Sequence, residues 1–164
     1  MAALMPGRRL VYARLVGLDR HAVTIATARY LVAANVLSEA TKPDPDPRVV
    51  DWLARAEREF VVDPIILGEL RFGILRLPRG RRRSRLERWF DEGAARLHCI
   101  AWDAATGLRW AKLLADLRAA GRAMPIKDSL IAATALTHGL AIATLNLRDF
   151  EAAGVELIDP TCAT

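Results

Sequence analysis

One stretch, residues 124–136, constrains the fold more than any other part of the chain. It reads Met-Pro-Ile-Lys-Asp-Ser-Leu-Ile-Ala-Ala-Thr-Ala-Leu. The pattern predicts a helix that is apolar nearly all round, and such a helix has to be buried against other elements. Asp128 lies near its start, above the stripe of Ile131, Ala132 and Ala135 that enters the core. A carboxylate at the head of a buried helix needs an explanation.

Two interpretations of Asp128 are open from the sequence. An acid in the first turn of a helix accepts hydrogen bonds from free backbone N–H groups and complements the positive end of the helix dipole. Alternatively, the side chain faces a cleft at the rim of a sheet and binds a divalent metal, because magnesium prefers hard oxygen ligands. A single acid does not separate the two.

Short apolar runs alternate with helical patterns along the chain. The runs that fit buried strands lie at residues 30–34, 59–62, 97–101, 139–144 and 155–158. Helix signals fall between them, and Asp63 before Pro64 has the form of an N-cap. The order predicts an α/β protein with a mostly parallel sheet.

Length and charge limit the class of protein. With 164 residues, 52% of them hydrophobic, the chain is expected to form one domain over residues 29–160, followed by a tail at 161–164. Residues 1–28 are a basic extension, which fits a mobile arm, an extra edge strand or an upstream start. Lys and Arg number 24 against 19 Asp and Glu, which favours polyanionic partners.

The sequence predicts a cytoplasmic protein without membrane contact. Cys99 and Cys162 form neither a disulfide framework nor a zinc motif, so we expect both to be reduced. Charged residues interrupt the early apolar segment, and no apolar run is long enough to cross a bilayer.

Four polar residues are predicted to meet at one edge of the sheet. Ligands in such folds bind beyond the carboxyl ends of the strands. Glu69 follows the second strand amid apolar residues, Asp128 precedes the fourth, and Asn146 and Asp149 follow the fourth. Convergent carboxylates suit Mg²⁺ and imply metal-assisted hydrolysis of a phosphodiester. The plainer alternative is that every one of these acids is a helix cap.

The positive charge is concentrated after residue 77. A turn and a helix start carry five arginines, at Arg79, Arg81, Arg82, Arg83 and Arg85. They form either a solvated helix-hairpin tip or a contact for nucleic-acid phosphates or an acidic partner segment. No aromatic residue lies among them, so base stacking is not indicated.

Other chemistries lack their motifs. The chain has no glycine-rich nucleotide loop, no serine nucleophile elbow and no paired-histidine zinc motif. His21, His98 and His138 are isolated and are read as structural or surface residues. Ser129 has no adjacent base and is expected to cap or pack.

Between about residues 30 and 160 the chain resembles a PIN-domain ribonuclease of the VapC toxin type. The resemblance rests on four segments together: Asn35-Val36-Leu37-Ser38-Glu39 with Lys42-Pro43, Leu67-Gly68-Glu69-Leu70-Arg71-Phe72-Gly73-Ile74, Pro125-Ile126-Lys127-Asp128-Ser129-Leu130-Ile131-Ala132-Ala133-Thr134-Ala135, and Thr144-Leu145-Asn146-Leu147-Arg148-Asp149-Phe150.

The resemblance implies a three-layer α/β/α sandwich with a protruding helix pair, an RNA substrate, a Mg²⁺ or Mn²⁺ site, a homodimer and a cognate antitoxin. By position it implies that Glu69, Asp128, Asp149 and Asn146 are catalytic, the three acids serving the metal. The antitoxin would lie along the helices around residues 67–75 and 86–90.

One position departs from the family pattern. The acid that follows the first strand in the family is Ala33 here, with Ala34 next. Losing a carboxylate removes both a ligand and a negative charge from a small magnesium site. We therefore expect strongly impaired metal binding and cleavage, unless Asp63 compensates. Natural decay and deliberate inactivation both fit Ala33, and two hypotheses remain: a disabled endoribonuclease toxin, or a binding module without catalysis.

Overall fold

The computed structural model describes residues 24–163, so most of the predicted basic extension lies outside the described residues. Its sheet has four parallel strands: β1 (Tyr30–Val32), β2 (Phe60–Val61), β3 (Ala141–Ala143) and β4 (Leu157–Ile158). The strand order is β2-β1-β3-β4, with β2 and β4 at the two edges. All pairings are parallel, which confirms the predicted sheet.

Six α-helices connect and cover these strands within the described part of the chain. They are α1 (Ala34–Glu39), α2 (Pro47–Ala56), α3 (Pro64–Leu75), α4 (Arg81–Glu92), α5 (Ala104–Ala119) and α6 (Ile126–His138). Short 3-10 turns occur at Ala94–Arg96, Leu147–Asp149 and Glu151–Ala153. None of the helices between residues 24 and 163 is long and apolar enough to cross a membrane.

The central strands are buried on both faces. Leu31 and Val32 of β1 and Ile142 and Ala143 of β3 are completely inaccessible, and successive residues of a strand point to opposite faces. Helices must therefore cover both sides of the sheet, which confirms the three-layer α/β architecture. The helix predicted from residues 124–136 is α6, and its residues 131–135 are all buried.

Aspartate side chains begin three helices, as their positions before proline or a helical run predict. Asp46, Asp63 and Asp103 each accept a backbone N–H two or three residues ahead, at 2.9 Å. Proline at the first position of α2 and α3 costs no hydrogen bond there. These caps fix where the helices leave the sheet.

The predicted strand at residues 97–101 was wrong. Only a single bridge forms there, between Val62 and Cys99. The Val62 N–H donates to His98 O at 3.0 Å, and the Ile100 N–H donates to Val62 O at 2.8 Å. Leu97 and Ile100 are buried, so the apolar run serves the core although it does not extend the sheet.

Candidate active site

The carboxyl ends of β1 and β3 lie side by side and carry the first part of the site. Val32 is in register with Ala143, and the Ala33 N–H donates to Ala143 O at 2.9 Å. Beyond the strands, Asn35 Nδ2 donates to Thr144 Oγ1 at 3.2 Å, and Leu145 N donates to Asn35 Oδ1 at 3.3 Å. The Asn35 amide therefore holds the loop after β3 against the start of α1.

That loop presents Asn146 and Asp149. The Asn146 N–H donates to Thr144 Oγ1 at 3.1 Å, so the Thr144 hydroxyl orders the turn. The Asn146 side-chain amide donates to the Asp149 carboxylate. The two residues that the sequence grouped beyond the fourth predicted strand are thus directly bonded to each other.

Lys127 joins the other two predicted acids. Its ammonium forms an ion pair with Glu69 of α3, and Lys127 Nζ lies 3.9 Å from Asp128 Oδ1. The pKa of Lys127 is raised, chiefly by the hydrogen bond to Glu69 and further by the charges of Asp128 and Asp149. Glu69 and Asp128 therefore flank one ammonium group, and the charge of Asp149 also acts on it.

Asp128 is not a helix cap. The cap position of α6 is Pro125, and no residue within the range 24–163 donates a hydrogen bond to the Asp128 carboxylate. Asp128 is only 7% exposed. Burial raises its pKa, the charge of Lys127 lowers it, and the charges of Asp149 and Glu69 raise it again. A buried carboxylate that lacks hydrogen-bond donors is costly, and such groups are characteristic of functional sites.

Replacing Asp128 with Asn is therefore expected to stabilise the fold at neutral pH, by about 0.5–2 kcal/mol. Because the folded-state pKa of Asp128 is raised, ionisation weakens the fold as pH rises through that pKa, and this penalty is absent in acid. Urea unfolding near neutral pH and in mild acid measures the gain, which should shrink in acid. Asp116→Asn, at an exposed acid of α5, is the matched control; an equal gain there would contradict the argument.

Asp63, the acid considered as a substitute for the one absent at position 33, is bonded inside the protein. Its carboxylate is completely buried, and each oxygen accepts one hydrogen bond: Oδ1 accepts Ile66 N–H at 2.9 Å, and Oδ2 accepts Thr134 Oγ1–H at 2.8 Å. Burial raises the pKa of Asp63, and the two hydrogen bonds lower it in part. The bond to Ile66 is the predicted cap of α3, whereas the bond to Thr134 of α6 was not predicted.

The remaining acids do not by themselves fit a divalent ion. Ala33 offers no side-chain donor, and Glu69 is paired with the Lys127 ammonium. Across residues 24–163 no group of three or more His, Cys, Asp or Glu side chains is arranged to hold a metal. The arrangement, called the acidic pocket below, is the group of Glu69, Asp128 and Asp149 at the sheet edge, partly neutralised by the exposed Lys127 side chain.

The five arginines divide into two groups. Arg83 is half-buried and bonded within the chain: Nε lies 2.9 Å from Glu87 Oε1, and Nη1 donates to Leu75 O at 3.3 Å and Leu77 O at 3.4 Å. It therefore holds the turn between α3 and α4. Four arginines are exposed and have no partner among the described residues: Arg79, Arg81, Arg82 and Arg85.

The residues to which the sequence analysis gave no catalytic role lie in structural positions. Ser129 is buried, donates to Ile126 O at 2.6 Å and accepts Trp110 Nε1–H at 2.8 Å, so it packs as predicted. Cys99 and Cys162 are free thiols. Glu39, which belongs to a matched motif, accepts Asp46 N–H at 3.1 Å and pairs with Lys42 Nζ at 2.5 Å, and so closes the turn after α1.

Sequence reasoning missed three residues of the site: Lys127, Asn35 and Thr144. Each lies in a segment that carries the resemblance, but none received a role. Lys127 had a detectable signal, because a cation in the first turn of a helix opposes the helix dipole. Asn35 and Thr144 are polar residues directly beside buried strands, where side-chain hydrogen bonding to a neighbouring loop is expected.

Fold and site together define an α/β domain with an acidic pocket at the carboxyl edge of a parallel sheet. The family model described as PIN domain matches residues 30–156, and the chain belongs to this family. The resemblance to PIN-domain ribonucleases of the VapC type is confirmed by the relatives.

Among these relatives is the plasmid stability protein StbB of Pseudomonas syringae pv. tomato, 35% identical over 134 residues, which are 79% of this chain and 96% of that protein. The VapC ribonuclease Y4jK of Sinorhizobium fredii is 33% identical over 130 residues, which are 77% of this chain and 93% of that protein. A FitAcB structure from Neisseria gonorrhoeae has a TM-score of 0.72 at 28% identity, covering 82% of this chain and 99% of that one.

Proposed function

We propose that the chain is a VapC-type toxin derived from a Mg²⁺- or Mn²⁺-dependent endoribonuclease, and that its own cleavage of RNA is strongly impaired. Glu69, Asp128, Asp149 and Asn146 are the catalytic residues that remain, and Ala33 stands where a further metal ligand is missing. The observation that carries the proposal is the meeting of Glu69 and Asp128, from separate helices, at Lys127, with the charge of Asp149 acting on the same ammonium, beside a strand end that has no acid.

The chemistry of the pocket supports a phosphodiester substrate. In an intact site of this kind, carboxylates hold a metal that would neutralise charge on a phosphate and activate water. Here Asp63 is buried and each of its oxygens accepts a hydrogen bond from α3 or α6, so restoring the ligand set with Asp63 would break these bonds. Impairment therefore follows from a missing ligand at position 33 that no neighbouring acid supplies.

The helix pair α3 and α4 is the proposed contact surface for partners. Phe72 is 63% exposed and Leu75 47% exposed, and large apolar side chains at this exposure on one helix favour a protein partner. Arg76 lies over the Phe72 ring at 5.7 Å, and Arg71 lies over the Phe90 ring at 5.4 Å. The surface thus combines apolar side chains with cations.

We assign this surface to a cognate antitoxin. Similar structures include FitAB bound to a DNA fragment and FitAcB, both at 27–28% identity. An antitoxin segment with apolar and acidic residues would match the exposed side chains of α3 and the arginines of α4. We also propose that the chain forms a homodimer, because the family resemblance implies one.

RNA contact by the arginines is tested by charge reversal. Replacing Arg81 and Arg85 with Glu is expected to weaken binding of a single-stranded RNA oligonucleotide about tenfold or more at low salt. The slope of log K against log salt should also fall, by about 0.7 for each phosphate that the variant no longer neutralises. Fluorescence anisotropy over a salt series measures both quantities.

The matched control reverses the same charge elsewhere. Arg118 and Arg122, at the end of α5, are also exposed, and replacing both with Glu changes the net charge equally. If the two double variants lose the same affinity, net charge alone explains the binding. The arginines of α4 would then have no special contact with RNA.

A second candidate function is a binding module without catalysis. Two observations favour it: Ala33 has no metal-binding side chain, and the oxygens of Asp63 already accept hydrogen bonds. The helices α3 and α4 nevertheless keep an exposed surface that can bind a partner. The two candidates differ in whether a carboxylate at position 33 brings RNA cleavage.

A further inference from the structure

Lys127 is placed where a lysine is unfavourable unless something compensates it. It lies in the first turn of α6, next to the positive end of the helix dipole. Its ammonium nevertheless turns toward α3, pairs with Glu69 and comes within 3.9 Å of Asp128. The carboxylates of the pocket supply the compensation.

The ammonium occupies the position in which the pocket would need a cation. Among the described residues, Glu69 has Lys127 as its only ion-pair partner, and Asp128 likewise has only Lys127. Asp149 is near enough for its charge to stabilise the same ammonium. One lysine thus provides positive charge to the three acids to which the family resemblance assigns a metal.

We propose that Lys127 is the resident cation of this pocket: it offsets the charge of Glu69, Asp128 and Asp149 and competes with divalent metal for them. This inference rests on the proposed function, since it takes these acids as the remainder of a metal site. With no acid at position 33, the pocket contains few enough carboxylates for an ammonium to serve as the counterion.

The competition is one of charge as well as of space. A divalent ion bound to Asp128 would lie a few ångströms from the ammonium, and the repulsion between them would weaken metal binding even in a solvated site. The Lys127 side chain is 54% exposed, so it can swing toward solvent when a metal enters. The lysine therefore lowers metal affinity without closing the site.

The test is Mn²⁺ binding, measured from the decrease of the free-ion electron paramagnetic resonance signal, with no RNA present. Lys127→Met, which keeps the aliphatic chain and removes the charge, is expected to bind Mn²⁺ about tenfold tighter or more than the parent. Lys127→Arg keeps the charge and should bind within about threefold of the parent.

Lys112→Met is the matched control. Lys112 is 62% exposed and pairs with Asp116 at 2.9 Å, so its replacement removes an equally exposed, ion-paired lysine away from the pocket. Its Mn²⁺ affinity should equal that of the parent. Thermal unfolding of all four proteins verifies that differences in Mn²⁺ binding do not come from loss of the fold.

The series is measured with Ala33 and again with Ala33→Asp, where a rebuilt ligand set makes Mn²⁺ binding stronger. The proposal is overturned if Lys127→Met binds Mn²⁺ no tighter than Lys127→Arg in both series. Because no RNA is used, this result is independent of the nuclease hypothesis. Failure of Ala33→Asp to cleave RNA would contradict that hypothesis and leave the role of Lys127 standing.

Discussion

Replacing Ala33 with Asp is expected to produce metal-dependent RNA cleavage at least about a hundredfold faster than cleavage by the parent chain. The backbone N–H of Ala33 is bonded to Ala143 O, so a carboxylate here would start from the joined ends of β1 and β3. Asn35, two residues further on, binds the loop that carries Asn146 and Asp149. The new acid would complete the ligand set with Asp128.

The control for this variant has to separate charge from capping. Ala33 is also the N-cap position of α1, and it makes no side-chain cap there. Asn and Asp are about equally good at an N-cap, but only Asp brings a negative charge. Ala33→Asn should therefore steady α1 as Ala33→Asp does, and it should not bring cleavage.

Cleavage of a fluorescent single-stranded RNA, with Mg²⁺ or Mn²⁺ and with a chelator, measures this effect. Chelator-sensitive cleavage by the Asp variant alone identifies an inactivated enzyme. Equal cleavage by the parent would contradict impairment and show that another group compensates for Ala33. Absence of cleavage from both would reject the nuclease hypothesis and leave the binding module.

Asp63→Ala is expected to lower the free energy of unfolding by about 2–4 kcal/mol. The change removes the cap of α3 and leaves the buried Ile66 N–H without a hydrogen-bond acceptor. It also breaks the hydrogen bond from the Thr134 hydroxyl of α6. Because burial raises the pKa of Asp63, removing its charge recovers part of this destabilisation. Urea unfolding at neutral pH measures the difference.

Asp103 provides the comparison within the same chain. It caps α5 with the same 2.9 Å bond to a backbone N–H, and its second contact, to the Thr106 hydroxyl, is local. Asp103→Ala should cost about 1 kcal/mol. If Asp63→Ala costs no more than this, the bond between α3 and α6 contributes nothing to stability.

Local patterns predicted much of this fold correctly. The apolar circumference of residues 124–136 predicted a buried helix, and Asp63 before Pro64 predicted a cap, because both depend on neighbours a few residues apart. The run at residues 97–101 has the same apolar character as a strand. Whether such a run joins a sheet depends on backbone partners elsewhere, and here only Cys99 bridges to Val62.

The candidate site was predictable as a set of residues but not as an arrangement. Glu69, Asp128 and Asp149 were grouped because strand order brings their segments to one edge of the sheet. That Lys127 turns toward Glu69 could not be predicted, because a lysine has many rotamers and the neighbouring helix selects among them. For Asp63, the cap was local, whereas its bond to Thr134 spans 71 residues.

By itself, the sequence determined the parallel α/β class, the buried helix at residues 124–136, the cap at Asp63 and the absence of an acid at position 33. Only the tertiary structure decided which group neutralises which: Lys127 serves the pocket acids, and Asp63 is committed to α3 and α6. The physical reason is that burial and capping follow from short-range periodicity. Charge pairing depends instead on distances that exist only after the helices pack against the sheet.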